Sequence, residues 1–159
     1  MCIALMSLLL HPHPDIPALK LESPIAGLLL ICSWVSYQSN AESFKTNKDK
    51  DIHEAPQMHQ WADDFCTEEE RNKYTEPIRA DSDWFRGLPA KSVLNVWGGY
   101  ELFRDDCEAF GKLLEAADVS VRNMECPQQV HIDCILDAQS QLDTGLMSTE
   151  VWEWLGKVM

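Results

Sequence analysis

Residues 92–124 constrain the fold more tightly than any other part of the sequence. Ser92-Val93-Leu94-Asn95-Val96-Trp97 carries the residue types of a strand and stops at Gly98-Gly99. Phe103, Cys107, Phe110, Leu114 and Ala117 then recur at spacings of 4, 3, 4 and 3, which is one face of a helix. Arg104, Glu108, Lys112 and Glu115 occupy the opposite side, and Asp105 and Asp106 stand near the start, where the positive end of the helix dipole favours acids. Val119-Ser120-Val121-Arg122-Asn123-Met124 is the next strand. A helix that joins two strands over this length makes a crossover, so the strands must be parallel and the fold class is α/β.

The remaining segments extend that layout. Pro24 introduces the apolar run Ile25–Cys32, which lacks alternation and so reads as a strand buried on both faces of a parallel sheet. Ile3–Leu10 predicts a helix, stopped by the proline-rich stretch His11–Pro17 and expected to begin before Met1. Residues 36–90 read as a cap-like insertion over the sheet, or else as a surface excursion anchored by its tryptophans. Within them Gln38–Asp51 is polar and irregular, Gln57–Phe65 and Glu68–Tyr74 predict short helices, and Pro77 and Pro89 punctuate the rest. A weak helix is expected from Ile132, then a last one capped by Ser148-Thr149 with Val151, Trp152, Leu155 and Val158 on its inner face. The prediction is a single incomplete domain over 1–159, with a mainly parallel sheet, three strands and flanking helices.

Composition narrows the function. The 13 Lys and Arg against 26 Asp and Glu leave a net charge of −13, which argues against nucleic acid and anionic membranes as partners. Ile25–Val35, the longest apolar run, is about half the ~20 residues that span a bilayer, so no transmembrane segment is expected. The apolar start Met1–Leu10 has no basic residues before it and no small-residue cleavage site after it, unlike a signal peptide. Six scattered cysteines include no CxxC pair, and Cys32 and Cys107 fall in apolar stretches as small core residues; a reduced, intracellular protein is expected. His11 and His13 flank Pro12 and read as part of a surface link, so no metal or cofactor is predicted.

In an open parallel sheet the chemistry gathers at the carboxyl ends of the strands. Glu101 follows one such end and His131 follows the next, 30 residues later, so adjacent strands would place them side by side. A carboxylate bonded to an imidazole fixes its tautomer and stabilises the imidazolium, as a general base requires. The alternative is a helix-start acid and an unrelated loop histidine, with Asp105 or Asp106 as other candidate acids.

The stretch Val96-Trp97-Gly98-Gly99-Tyr100-Glu101-Leu102-Phe103-Arg104-Asp105-Asp106 resembles the acid motif of the α/β-hydrolase superfamily. It is most similar to the hormone-sensitive-lipase-like esterases, and among them to fungal steryl acetyl hydrolase-type members. Cys126-Pro127-Gln128-Gln129-Val130-His131 resembles their histidine loop, with glutamine at 128 or 129 where glycine is usual. His11–Pro17 and Pro24–Tyr37 resemble the link and strand that follow the nucleophile's helix. The resemblance implies a partial α/β-hydrolase fold corresponding to the C-terminal half of the domain, the N-terminal half being missing. It assigns Glu101 and His131 as acid and base of a Ser-Glu-His triad acting on a small neutral acyl ester. Trp34, Tyr37 and Trp84 are candidates to line the acyl pocket, or else core and cap anchors. No serine or cysteine has glycines two residues before and two after, so the G-x-S-x-G nucleophile turn is absent from this sequence. The 159 residues alone are therefore expected to be inactive. The alternative function is a non-catalytic binding protein that self-associates through an exposed sheet edge.

Overall fold

The strand Leu28–Ile31 (β1) pairs in parallel with Val93–Gly98 (β2), and β2 pairs in parallel with Val121–Cys126 (β3). The sheet order is β1-β2-β3, with Leu28 opposite Val93 and Val93 opposite Val121. This arrangement comes from a computed structural model that describes residues 2–159, so the expected helix start before Met1 lies outside the described residues. The helices are α1 (Cys2–Leu10), α2 (Ser43–Thr46), α3 (Ala55–Phe65), α4 (Ser82–Phe85), α5 (Arg104–Ala116), α6 (Asp133–Ser140) and α7 (Leu146–Val158). Among the described residues, no helix is long and apolar enough to cross a membrane.

All six residues of β2 are buried because both faces of the sheet are covered. Val93 turns toward α1, α4 and α5 and packs with Leu28, Leu30, Phe85, Phe110 and Leu114. Leu94 and Val96 turn the other way, into a core with Cys32, Met147, Val151 and Trp154 beneath α7. The predicted inner face of α5 is the observed one: Phe103, Cys107, Phe110, Leu114 and Ala117 are all buried. A third cluster, Trp97, Leu102, Phe103, Cys107, Phe44 and Met58, closes the carboxyl end of the sheet against residues of the 36–90 segment.

Two local expectations are corrected. Glu68–Tyr74 forms only a single 3₁₀ turn at Glu68–Glu70, closed by a capping box with Thr67. Beyond it, the Asn72 side chain accepts from the Tyr74 N–H (2.9 Å) and Thr75 Oγ1 accepts from the Asn72 N–H (2.9 Å), so local side-chain bonds replace the helical ladder. The last helix starts at Leu146 after Gly145, which places Ser148 and Thr149 inside its first turn rather than at its cap. Its inner face carries Met147, Val151 and Trp154, with the predicted Leu155 and Val158 partly buried against the same core, while Trp152 is 69% exposed. Trp154 is held inside by its indole N–H, which donates to Ser92 Oγ at 3.1 Å, and by Gly27, where an added Cβ would collide with the ring.

Candidate active site

The β2–α5 turn and the β3–α6 loop leave neighbouring strands at the same end of the sheet, and they bring Glu101 against His131. Glu101 is fully buried, and its Oε2 lies 2.9 Å from His131 Nδ1. Its other oxygen, Oε1, accepts from the Gly98 N–H at 3.1 Å. An ionised carboxylate can only accept, so Nδ1 carries the proton and Nε2 is left as the basic nitrogen. Burial pushes the Glu101 carboxyl above the ordinary carboxylate range, and the bond to His131 and the His131 charge pull it back down.

The two loops are fitted to each other through glycine. A Cβ on Gly98 would lie 2.7 Å from the Val130 carbonyl oxygen and closer still to that of Gln129. The loop is pinned in that close approach, because Gln129 O accepts from the Tyr100 N–H (2.9 Å) and Cys126 O accepts from the Gly99 N–H (2.8 Å). Gln128 takes φ +62°, a left-handed conformation that glycine would adopt more cheaply.

Cys32 follows β1 directly at φ +49°, with its thiol close to the pair. Its Sγ accepts from the Ile132 N–H at 3.2 Å. Among the described residues, Cys32, Glu101 and His131 are the group with metal-ligand proximity, their ligand atoms lying within 4.8 Å of one another. Burial, and next the Glu101 charge, push the thiol far above its ordinary range, so it stays protonated.

Aromatic rings surround the histidine. Phe103 meets the His131 ring edge to face at 5.5 Å, Trp34 stacks on Phe103 at 5.6 Å, and Tyr37 meets Trp34 edge to face at 5.3 Å. Trp84 is placed elsewhere, stacked on His11 at 3.7 Å with its indole N–H donating to Ser7 of α1. His13 sits near Asp15, so His11 and His13 face different partners.

Three neighbours of the pair carry no signal in the sequence pattern. The His53 ring lies 4.7 Å from that of His131, and burial, then the His131 charge, lower its pKa, so it is neutral at pH 7. Asn47 Nδ2 donates to the carbonyls of Gly99 (3.1 Å) and Glu101 (3.0 Å). Asp51 accepts from the backbone N–H groups of Leu102 and His131. Asn47 and Asp51 belong to the irregular polar stretch Gln38–Asp51 and His53 follows just after it, and no periodicity marks them.

Neither of the other candidate acids is bonded to His131 among the described residues. Asp105 accepts from the Ser43 N–H at 2.8 Å and pairs with Arg104. Asp106 has a buried, unpartnered Oδ2, and burial followed by the charges of Asp105 and Glu76 raises its pKa from 3.8 to about 6. Because the folded value exceeds the unfolded one, the fold gains from Asp106 staying protonated below pH ~4. That gain is lost as pH rises toward 6. Asp106→Asn is thus expected to stabilise the protein at pH 7 by about 1–2 kcal/mol, after allowance for partial exposure, and to flatten urea stability between pH 4 and 6. An unchanged pH profile would contradict this.

The sequence matches the family described as alpha/beta hydrolase fold over residues 6–134. No curated protein matches it significantly. Among solved structures, a thermostable esterase from Pseudomonas putida is 26% identical, with a TM-score of 0.65 over 73% of this chain and 36% of that one. A hormone-sensitive lipase from a metagenome library is 22% identical, with a TM-score of 0.72 over 86% of this chain and 46% of that one. An esterase of the bacterial hormone-sensitive lipase family, 22% identical, gives a TM-score of 0.63 over 82% of this chain and 40% of that one. The chain thus spans less than half the length of each of these proteins. With its parallel strands, crossover helix and matched sequence, the chain belongs to the alpha/beta hydrolase fold family.

Proposed function

We propose that this chain supplies the acid and the histidine of an ester-hydrolysing Ser-Glu-His triad, the serine coming from polypeptide outside these 159 residues. The observation that carries the reading is the 2.9 Å bond between His131 Nδ1 and the fully buried Glu101. Glu101 orients the ring and stabilises its protonated form. His131 Nε2 takes the serine proton as the hydroxyl attacks the acyl carbonyl, then returns it to the leaving alcohol. The substrate is a small neutral acyl ester of the kind a fungal steryl acetyl hydrolase-type enzyme takes, such as an acetylated lipid or secondary metabolite. A net charge of −13 disfavours polyanions. Trp34 and Tyr37, linked to the His131 ring through Phe103, serve the acyl side, and residues 36–90 act as a cap.

The test is hydrolysis of a short aryl acetate. The 159-residue chain alone should show no His131-dependent turnover. The chain joined to the nucleophile-bearing segment of a related esterase should turn over, and His131→Ala should reduce that rate by about 10³-fold or more. Turnover by the chain alone, or a completed enzyme indifferent to His131, would overturn the reading.

The β1 edge favours a second reading, a binding protein that pairs with another copy of itself. Among the described residues, β1 has no strand on its outer side, and it carries only Leu28, Leu29, Leu30 and Ile31, whereas the β3 edge carries Arg122 and Glu125, the kind of charge that discourages edge pairing. A strictly monomeric protein in sedimentation at high concentration would remove this alternative.

A further inference from the structure

Asp51 lies just after α2, 50 residues before Glu101 and 80 before His131 in sequence, yet its carboxylate joins the loops that hold them. Oδ2 accepts from the Leu102 N–H at 2.7 Å, immediately beyond Glu101. Oδ1 accepts from the N–H of His131 itself at 3.2 Å, and from its own neighbour Ile52 at 2.7 Å. Both oxygens are therefore committed to backbone donors, one on each side of the acid–histidine pair. The backbones of the two loops also meet directly, from the Tyr100 N–H to Gln129 O and from the Gly99 N–H to Cys126 O, on the strand side. Without Asp51, the Leu102 and His131 N–H groups would lose the one carboxylate that they share.

The carboxylate is itself held in register. The Lys50 and Asp51 N–H groups donate to Asn47 O at 2.9 and 3.3 Å, closing a turn. Asn47 is buried, and its side-chain amide donates to the carbonyls of Gly99 and Glu101. The turn at 47–51 thus grips the acid turn by its carbonyls through Asn47 and by an N–H through Asp51, while the same Asp51 reaches the histidine. We infer that Asp51 is a positioning residue that sets the separation of Glu101 and His131. A neutral acceptor would hold the same donors less firmly, because bonds from an N–H to an ionised carboxylate are about twice as strong as neutral ones. This rests on reading Glu101 and His131 as the acid and histidine of a triad.

The experiment follows the His131 Nδ1 proton by NMR in the 159-residue chain. Bonded to a buried carboxylate, it should give a low-field resonance that exchanges slowly with solvent. Asp51→Ala should speed that exchange by about tenfold to a hundredfold, and Asp51→Asn, which keeps the shape but only one acceptor, by an intermediate factor. Leu114→Ala, in the core cluster on the other side of the sheet, supplies a variant of lowered urea stability in which the proton should exchange as in the parent. If Asp51→Asn and Asp51→Ala leave the exchange unchanged, or if Leu114→Ala accelerates it equally, the positioning role is wrong. Glu101→Gln separates the two levels. Loss of the resonance there with no effect at Asp51 defeats only this inference, whereas a resonance that survives Glu101→Gln defeats the acid–histidine reading itself.

Discussion

Replacing Gly98 by alanine is expected to cost the fold about 2–4 kcal/mol and to pull His131 away from Glu101. The added methyl would sit 2.7 Å from the Val130 carbonyl oxygen and nearer still to that of Gln129, and both are backbone atoms that no rotamer change can move aside. Relief requires the 127–131 loop to back away from β2. That movement would strain the bond from the Tyr100 N–H to Gln129 O, the bond from the His131 N–H to Asp51, and the bond from the Met147 N–H to the Gln129 side chain (2.7 Å). Alternatively Gly98 itself moves, and its N–H then leaves Glu101 Oε1. Either route breaks a bond to the pair or to its loop, so stability and site geometry should fail together. Urea unfolding reads the first and the His131 Nδ1 proton reads the second. A Gly98→Ala protein within about 1 kcal/mol of the parent, with that proton intact, would show the two loops to be more compliant than their contacts indicate. Gly99 is the less demanding neighbour, since a Cβ there would meet the Glu125 side chain at 3.0 Å, which can swing away.

What the sequence discloses follows from how regular the relevant forces are. The β2–α5–β3 unit is legible because burial on two faces and on one helical stripe leaves periodic marks, and all five residues of the predicted α5 stripe are buried. The meeting of Glu101 and His131 follows from the same regularity, since parallel neighbours deliver their carboxyl ends to one rim. On α7 only Trp152 departs from the predicted inner face, because two tryptophans two residues apart present opposite faces. Choosing between Trp152 and Trp154 depends on Ser92 and Gly27, which are distant in sequence. Glu68–Tyr74 has good helix formers, but Asn72 and Thr75 offer the backbone a local alternative that a propensity sum does not weigh. Asp51 and Asn47 were invisible for a further reason. Each acts on backbone N–H and carbonyl groups, which every residue carries, so no partner residue type in the sequence points back to them.

The second large effect is expected at Glu101 in the enzyme completed with its nucleophile, where Glu101→Gln should lower kcat on the order of 10⁴-fold with a much smaller change in KM. The substitution keeps the size of the side chain and removes its charge, so the packing around it survives. It cannot keep the bonding. Glu101 faces two donors with two acceptor oxygens, Oε1 toward the Gly98 N–H and Oε2 toward His131 Nδ1. An amide has one acceptor oxygen and one NH₂ group. If glutamine turns its oxygen to Gly98, its NH₂ faces Nδ1, and the ring must adopt the tautomer that protonates Nε2, which can then no longer accept the serine proton. If it turns its oxygen to His131, the NH₂ confronts the buried Gly98 N–H and one donor is orphaned, at a cost of about 1–3 kcal/mol. The first arrangement satisfies both donors and is therefore the one populated, and it is the inactive one. The loss should fall on kcat because the charge that stabilises imidazolium is needed only once His131 has taken the proton. A Glu101→Gln enzyme within tenfold of the parent in kcat would assign the orienting role to another group and leave Glu101 as a buried structural acid.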